Sequence, residues 1–142
     1  MNHNILLGKL HKKFDISGSV LNWFKSYLGD RYFTVVVNRS KSKGYFLRIG
    51  VPQGSILGPI LFIIYTKELE TIARKHGFSV HLYADDTQMY IEFNPLFQDI
   101  ASIESKIIAC LQEIKNWITL NRLKLNPDKT EALIIQTRNN LF

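Results

Sequence analysis

A chain of 142 residues has room for one hydrophobic core, or part of one, which excludes an enzyme of several domains. Hydrophobic residues make up 46% and charged residues 21%, near the globular average, so disorder and fibrous repeats are excluded too. The formal charge of +6, from 18 Lys and Arg against 12 Asp and Glu, favours polyanionic partners, although a solvated basic surface explains it equally well.

The chain opens with Ile5, Leu6, Leu10 and Phe14 at helical spacing, and after a break at Asp15 to Gly18 the set Leu21, Phe24, Tyr27 and Leu28 repeats the pattern. Two short helices are predicted. Lys9, Lys12 and Lys13 cluster in the first, and the absence of a small-residue cleavage site there argues against a signal peptide and secretion. Residues 31–37 and 45–51 are rich in β-branched and aromatic types, which predicts a two-stranded ribbon with a loop over Asn38 to Gly44. Arg39, Lys41, Lys43 and Arg48 form a basic cluster in it.

Gly50-Val51-Pro52-Gln53-Gly54-Ser55 breaks the second strand; Ser55 is the expected N-cap, and Pro59 suits the first turn of a buried helix running to about Lys75. The apolar run Ile56 to Tyr65 is interrupted at Gly58 and Pro59 and falls short of the roughly 20 residues of a membrane span. Alternation over residues 78–84 and again over 88–93 predicts a second hairpin with Asp85-Asp86 at its tip. Ile100, Ile103, Ile107, Leu111, Ile114 and Ile118 then mark one stripe of a helix over 99–119. Cys110, the only cysteine, rules out an intrachain disulfide and fits a reducing, intracellular compartment. After a turn at Asn126-Pro127-Asp128, Ala132 to Ile135 reads as a last strand. Strands and helices mix without a regular βαβ repeat, so the fold class is α+β. Trp23 and Trp117 read as core anchors, and His3, His11, His76 and His81 lack metal-site spacing.

Tyr83-Ala84-Asp85-Asp86 is the first group able to carry chemistry. Adjacent carboxylates on a rigid hairpin supply hard oxygen ligands for Mg2+, which keeps its other positions for water and phosphate. A plain turn rich in Asp is the competing reading. Upstream, Gly54 lets another group approach the backbone, and the Gln53 amide can both donate and accept.

In this order, Gly50-Val51-Pro52-Gln53-Gly54-Ser55-Ile56-Leu57-Gly58-Pro59 and the YADD box resemble the palm of a reverse transcriptase. The stretch 121–126 with Lys129-Thr130-Glu131, Thr87-Gln88, and the segment Trp23 to Arg31 resemble the non-LTR (LINE-type) branch. The resemblance implies an antiparallel palm sheet carrying the YADD hairpin, backed by helices, and two Mg2+ ions. Asp85 would be the principal metal ligand and Asp86 a secondary one. Pro52, Gln53, Gly54, Tyr83 and Ala84 would shape the nucleotide pocket. Lys129 would meet the leaving pyrophosphate, unless it is a solvated lysine in its turn, and Arg31 and Arg48 would touch nucleic acid. Partners implied are an RNA template, a DNA primer and deoxynucleoside triphosphates, with no membrane.

In that family the first metal-binding aspartate lies on a strand just before a segment resembling Asn2 to Leu7. Residues 1–142 are therefore expected to be a partial domain without that strand, fingers or thumb. Such a chain would be a fragment with little or no activity alone, with a sheet edge open to self-association. Two alternatives remain: a domesticated, non-catalytic nucleic-acid-binding or protein-interaction module, or a longer polymerase in which Met1 is internal.

Overall fold

The computed structural model describes residues 1–83, 86–94 and 100–135. The predicted α+β mixture is present as helices and small antiparallel ladders. Helix α1 spans His3–Phe14 and α2 spans Gly18–Leu28. The Asn2 side chain accepts from the Ile5 N–H at 3.2 Å, capping α1. Around them, Leu6, Leu10 and Leu28 join Leu61 and Tyr65 in a first core.

The ribbon is tighter than the sequence suggested. Strands β1 (Tyr32–Phe33) and β4 (Tyr45–Phe46) pair, and so do β2 (Val36–Val37) and β3 (Ser40–Lys41). Asn38 and Arg39, with φ of 47° and 66°, form a two-residue turn whose left-handed backbone matches the strand twist. The expected loop over Asn38 to Gly44 is therefore mostly strand and bulge. Thr34 and Val35 face Ser42, Lys43 and Gly44 across the ladder, so one arm carries an extra residue. Ser42 absorbs the irregularity by donating its N–H to Val35 O at 2.9 Å and accepting from Val35 N at 3.0 Å through Oγ. At its base the ribbon is tied to the chain start: Gly50 N donates to Met1 O at 2.7 Å and His3 Nε2 donates to Gly50 O at 2.7 Å.

The single helix expected to end near Lys75 is two, α3 (Gly58–Thr66) and α4 (Glu68–Lys75). Thr66 is the physical reason, because its hydroxyl bonds back to Phe62 O at 2.9 Å, a contact that bends helices. Ser55 is not the cap; Leu57 holds that position without a side-chain bond, and the Ser55 hydroxyl meets Tyr27 instead. Strands β5 (Ser79–Tyr83) and β6 (Asp86–Tyr90) pair antiparallel where the second hairpin was expected; its tip lies outside the described residues. The strands thus make three separate two-stranded ladders among the described residues, not the one sheet anticipated.

Helix α5 spans Ile100–Leu120. Its buried face is turned from the predicted stripe: Ile103, Cys110, Ile114 and Ile118 are buried, while Ile100 is 66% exposed. Cys110 takes the middle of that face because it meets Leu69, Ala73 and Phe78 in a second core. Trp23 is no core anchor; it lies 52% exposed against Tyr27 and Phe24. Ala132 to Ile135 has no strand partner and lies exposed, since nothing among the described residues pairs with it.

The two cores are joined at Glu68. Its carboxylate accepts from Lys9 Nζ at 2.6 Å, from Lys13 Nζ at 3.0 Å and from the Trp117 indole N–H at 2.8 Å. Burial pushes the Glu68 carboxyl up, but the three hydrogen bonds outweigh it and hold the group at about 2. Its folded pKa is below the ordinary 4.5, so its stabilisation is present above that value and is lost as pH falls toward 2. Glu68→Ala should lower the unfolding free energy by about 2 kcal/mol, because charge-assisted bonds are lost and Lys9 is left buried without its partner. Urea titrations at neutral and acid pH check this: Glu68→Gln should unfold with a flatter acid limb than the parent.

Candidate active site

The antiparallel β5–β6 pair is the frame of the site. Its register pairs Tyr83 with Asp86, Leu82 with Thr87, His81 with Gln88 and Val80 with Met89. Because side chains alternate, Val80 and Met89 pack on the second core while Tyr83 and Asp86 share the opposite, solvent-facing side. On that side His81 and Tyr90 stack at 5.5 Å. Ala84 and Asp85, which connect the strands in sequence, lie outside the described residues.

Tyr83 is 81% exposed, and Asp86 is exposed without an ion pair among the described residues. A free carboxylate of this kind suits a hard cation as one oxygen ligand. One is too few. Among the described residues no group of three or more His, Cys, Asp and Glu is placed to hold a metal, so the fit to Mg2+ rests on Asp86 alone there.

The Pro52-to-Ser55 segment is a hydrogen-bonded turn, with Ser55 N donating to Pro52 O at 3.1 Å. Gly54 occupies its third position at φ +81°, and no atom lies within 4 Å of where a Cβ would stand. Glycine is required here by the backbone, and the space above it is open. Pro52 and Gln53 are exposed beside it. Further along, Gly58 is needed for packing, because a Cβ there would come within 3.1 Å of Val51 Cγ2.

Lys129 is exposed at the end of a 3₁₀ turn, Pro127–Lys129, whose Asn126 cap accepts from Asp128 N at 3.3 Å. No hydrogen bond or ion pair joins Lys129, Asp86 and the Gln53 turn among the described residues. Two other predicted residues do converge. Arg31 and Arg48 line one open cleft of about 430 Å3 together with Asn2, His3, Asn4 and Phe46. Arg31 also donates to Tyr27 O at 2.9 Å and lies over the Tyr27 ring.

Residues 1–140 match the family described as reverse transcriptase (RNA-dependent DNA polymerase). The chain belongs to the reverse transcriptase family. It is 33% identical over 133 residues to a probable RNA-directed DNA polymerase from transposon BS of Drosophila melanogaster, covering 90% of this chain and 14% of the relative. To the polymerase from mobile element jockey of the same fly it is 28% identical over 119 residues, 80% of this chain and 13% of the relative. Against the Drosophila funebris jockey polymerase the identity is 34% over 116 residues, 78% and 13% of the two chains. The LINE-type resemblance is borne out in that these are polymerases of mobile elements. The chain spans about one seventh of the length of these relatives. No solved structure matches it, and no helix among the described residues is long and apolar enough to cross a membrane.

Two glycines separate the effects of backbone and contact. Gly54→Ala forces a side chain into a left-handed position and should lower stability by about 1 kcal/mol although it touches nothing. Gly8→Ala, inside α1 with the same open surroundings, should raise it by about 0.5–1 kcal/mol. Thermal unfolding of this reverse transcriptase segment, monitored by circular dichroism, checks the opposite signs.

Proposed function

We propose that this chain supplies the palm segment of a non-LTR reverse transcriptase, with Asp85 and Asp86 as carboxylate ligands of its nucleotidyl-transfer site. What carries the reading is the register of Tyr83 against Asp86 in a chain of this family, downstream of the Gln53-Gly54 turn. The reaction is attack of a primer 3′-hydroxyl on the α-phosphorus of a deoxynucleoside triphosphate, forming the phosphodiester and releasing pyrophosphate. Bound Mg2+ would lower the cost of the hydroxyl's deprotonation and of charge on the phosphates.

The chain's own residues take the remaining tasks. Gln53 and Gly54 would form one wall of the pocket for the templating base and incoming nucleotide, the amide donating and accepting while the glycine leaves space. Tyr83 and Ala84 would border that pocket from the hairpin. Lys129 would offset charge on the departing pyrophosphate, as a positioned cation does in phosphoryl transfer. Arg31 and Arg48 would contact the template or primer backbone. A non-catalytic nucleic-acid-binding module is the second reading, favoured by the exposure of the basic ribbon.

The 142 residues alone, about one seventh of the relatives, should not extend a primer on an RNA template in Mg2+ or Mn2+. Extension above background that Asp85→Ala abolishes would overturn that expectation. Grafted into a related non-LTR polymerase in place of its own segment, the chain should support extension. Asp85→Asn should then abolish it and Asp86→Asn reduce it, while Gln53→Ala mainly raises KM for nucleotide and Lys129→Ala slows turnover several-fold. Normal extension with Asp85→Asn in the graft would reduce the YADD hairpin to a structural turn and leave the binding-module reading.

A further inference from the structure

We propose that Tyr27 is a positioning residue for the Gln53-Gly54 turn: its hydroxyl fastens Ser55, the turn's last residue, to α2, and Trp23 and Arg31 hold its ring where it can do so. This rests on the reading of that turn as a wall of the nucleotide pocket, and it adds Tyr27, Ser55 and Trp23, to which that reading gives no task.

The turn has little else to hold it in place. Val51 and Leu57 pack against the first core at either end, while Pro52, Gln53 and Gly54 are exposed and Ile56 is 89% exposed. The segment is thus an arch with fixed feet. Its backbone bonds are local: Ser55 N donates to Pro52 O and Gly58 N to Ser55 O, each at 3.1 Å. They close the turn and lead it into α3, but they do not set where its crown stands. Ser55 does, because its Oγ makes the one side-chain hydrogen bond of residues 52–57 among the described residues, with the Tyr27 hydroxyl 28 positions upstream. A serine just ahead of a helix ordinarily caps a free N–H of the first turn. Here the hydroxyl reaches another helix instead.

A phenol hydroxyl is placed only as firmly as its ring. Tyr27 is half-buried and packs against the first core. Its ring stacks on Trp23 with centroids 5.3 Å apart and planes 12° from parallel, and the Arg31 guanidinium carbon lies 5.5 Å from its centre. Arg31 is itself fixed, since its Nε donates to Tyr27 O at 2.9 Å. Residues four apart along a helix are neighbours on its surface, so Trp23 and Arg31 flank the ring from either side along the chain. Trp23 is 52% exposed, which leaves it no core to fill; bracing the phenol gives that indole a role. A pocket wall that drifts by about an ångström binds its ligand less well while the reacting groups elsewhere stay in place. Loss of the tie therefore belongs in KM and not in kcat.

Amide exchange and nucleotide kinetics test this separately. In the 142-residue chain, Tyr27→Phe and Ser55→Ala should each speed exchange of the Ser55 and Gly58 N–H groups about 5-fold, the scale of one neutral hydrogen bond, while amides of α1 keep their parental rates. In the grafted polymerase each should raise KM for deoxynucleotide about 5-fold at unchanged kcat, and the double variant no further than either single, since both remove one contact. Trp23→Leu should raise KM as well, and Trp23→Phe should restore most of it. Parental exchange in both single variants would overturn the proposal whatever the graft does. So would faster exchange with unchanged KM, a loss confined to kcat, or additive KM effects in the double variant. Extension that survives Asp85→Asn, or a parent graft that does not extend, counts against the reading of the site and not against the tie, which exchange in the chain alone then decides.

Discussion

Three donors converge on one carboxylate, and the arrangement of the two cores follows from it. Lys9 and Lys13 come from α1, Trp117 from α5, and Glu68 is the first residue of α4. Lys9 is 8% exposed, and its Nζ lies 5.4 Å from the Tyr65 ring and 4.7 Å from the Trp117 ring. A cation so enclosed needs a fixed counter-charge, while the aromatic faces supply the rest of its solvation. Buried charge of this sort is directional in a way that apolar packing is not: the first and second cores could slide on leucine and isoleucine, but not past a three-armed carboxylate.

The site pieces inherit that geometry. The Gln53-Gly54 turn leads into α3, whose Leu61 and Tyr65 belong to the first core, whereas the Asp86 hairpin is seated on the second through Val80 and Met89. Between them lies the Thr66 bend. Tyr65 reinforces the junction from inside by accepting from Asn2 N at 3.2 Å and donating to Asn121 O at 2.6 Å, which ties the start of α1 to the end of α5. Lys75 and His76 close the far side on Glu113 at 2.9 and 2.8 Å. Whatever separation the turn and hairpin keep is therefore set by helices, not by loops.

Features visible in the sequence were those with a local period. The helical spacing of Leu6 and Leu10 and the alternation of Val80 and Leu82 each report one element, and both elements formed where expected. The Gln53 and YADD motifs were legible as words, but which of the two carboxylates would serve the proposed cation was not, since adjacent residues have no period. Nonlocal facts left no trace: the Lys9–Glu68 pair spans 59 positions, and the rotation of the α5 face toward Cys110 depends on where Phe78 arrives. The Thr66 bend was missed because a hydroxyl bonding its own helix looks, in sequence, like any other threonine. Residues 132–135 have strand composition, yet composition alone gives a strand nothing to pair with.

The ribbon shows how one inserted residue can choose a surface. With the register of β2 and β3 carried on unbroken, Val36 against Lys41 would continue to Tyr32 against Tyr45 and Arg31 against Phe46. Aromatic and cationic side chains would then be mixed across the arm. The extra residue among Ser42, Lys43 and Gly44 shifts the pairing by one, so that Tyr32 meets Phe46 and Arg31 O receives the Leu47 N–H at 2.7 Å. A one-residue step exchanges the two faces of a strand, and here it puts two unpartnered rings on the side that borders the Arg48 cleft. Gly44 eases the step, since a Cβ there would stand 3.3 Å from Tyr32 Cδ2 and that ring would have to give by a few tenths of an ångström.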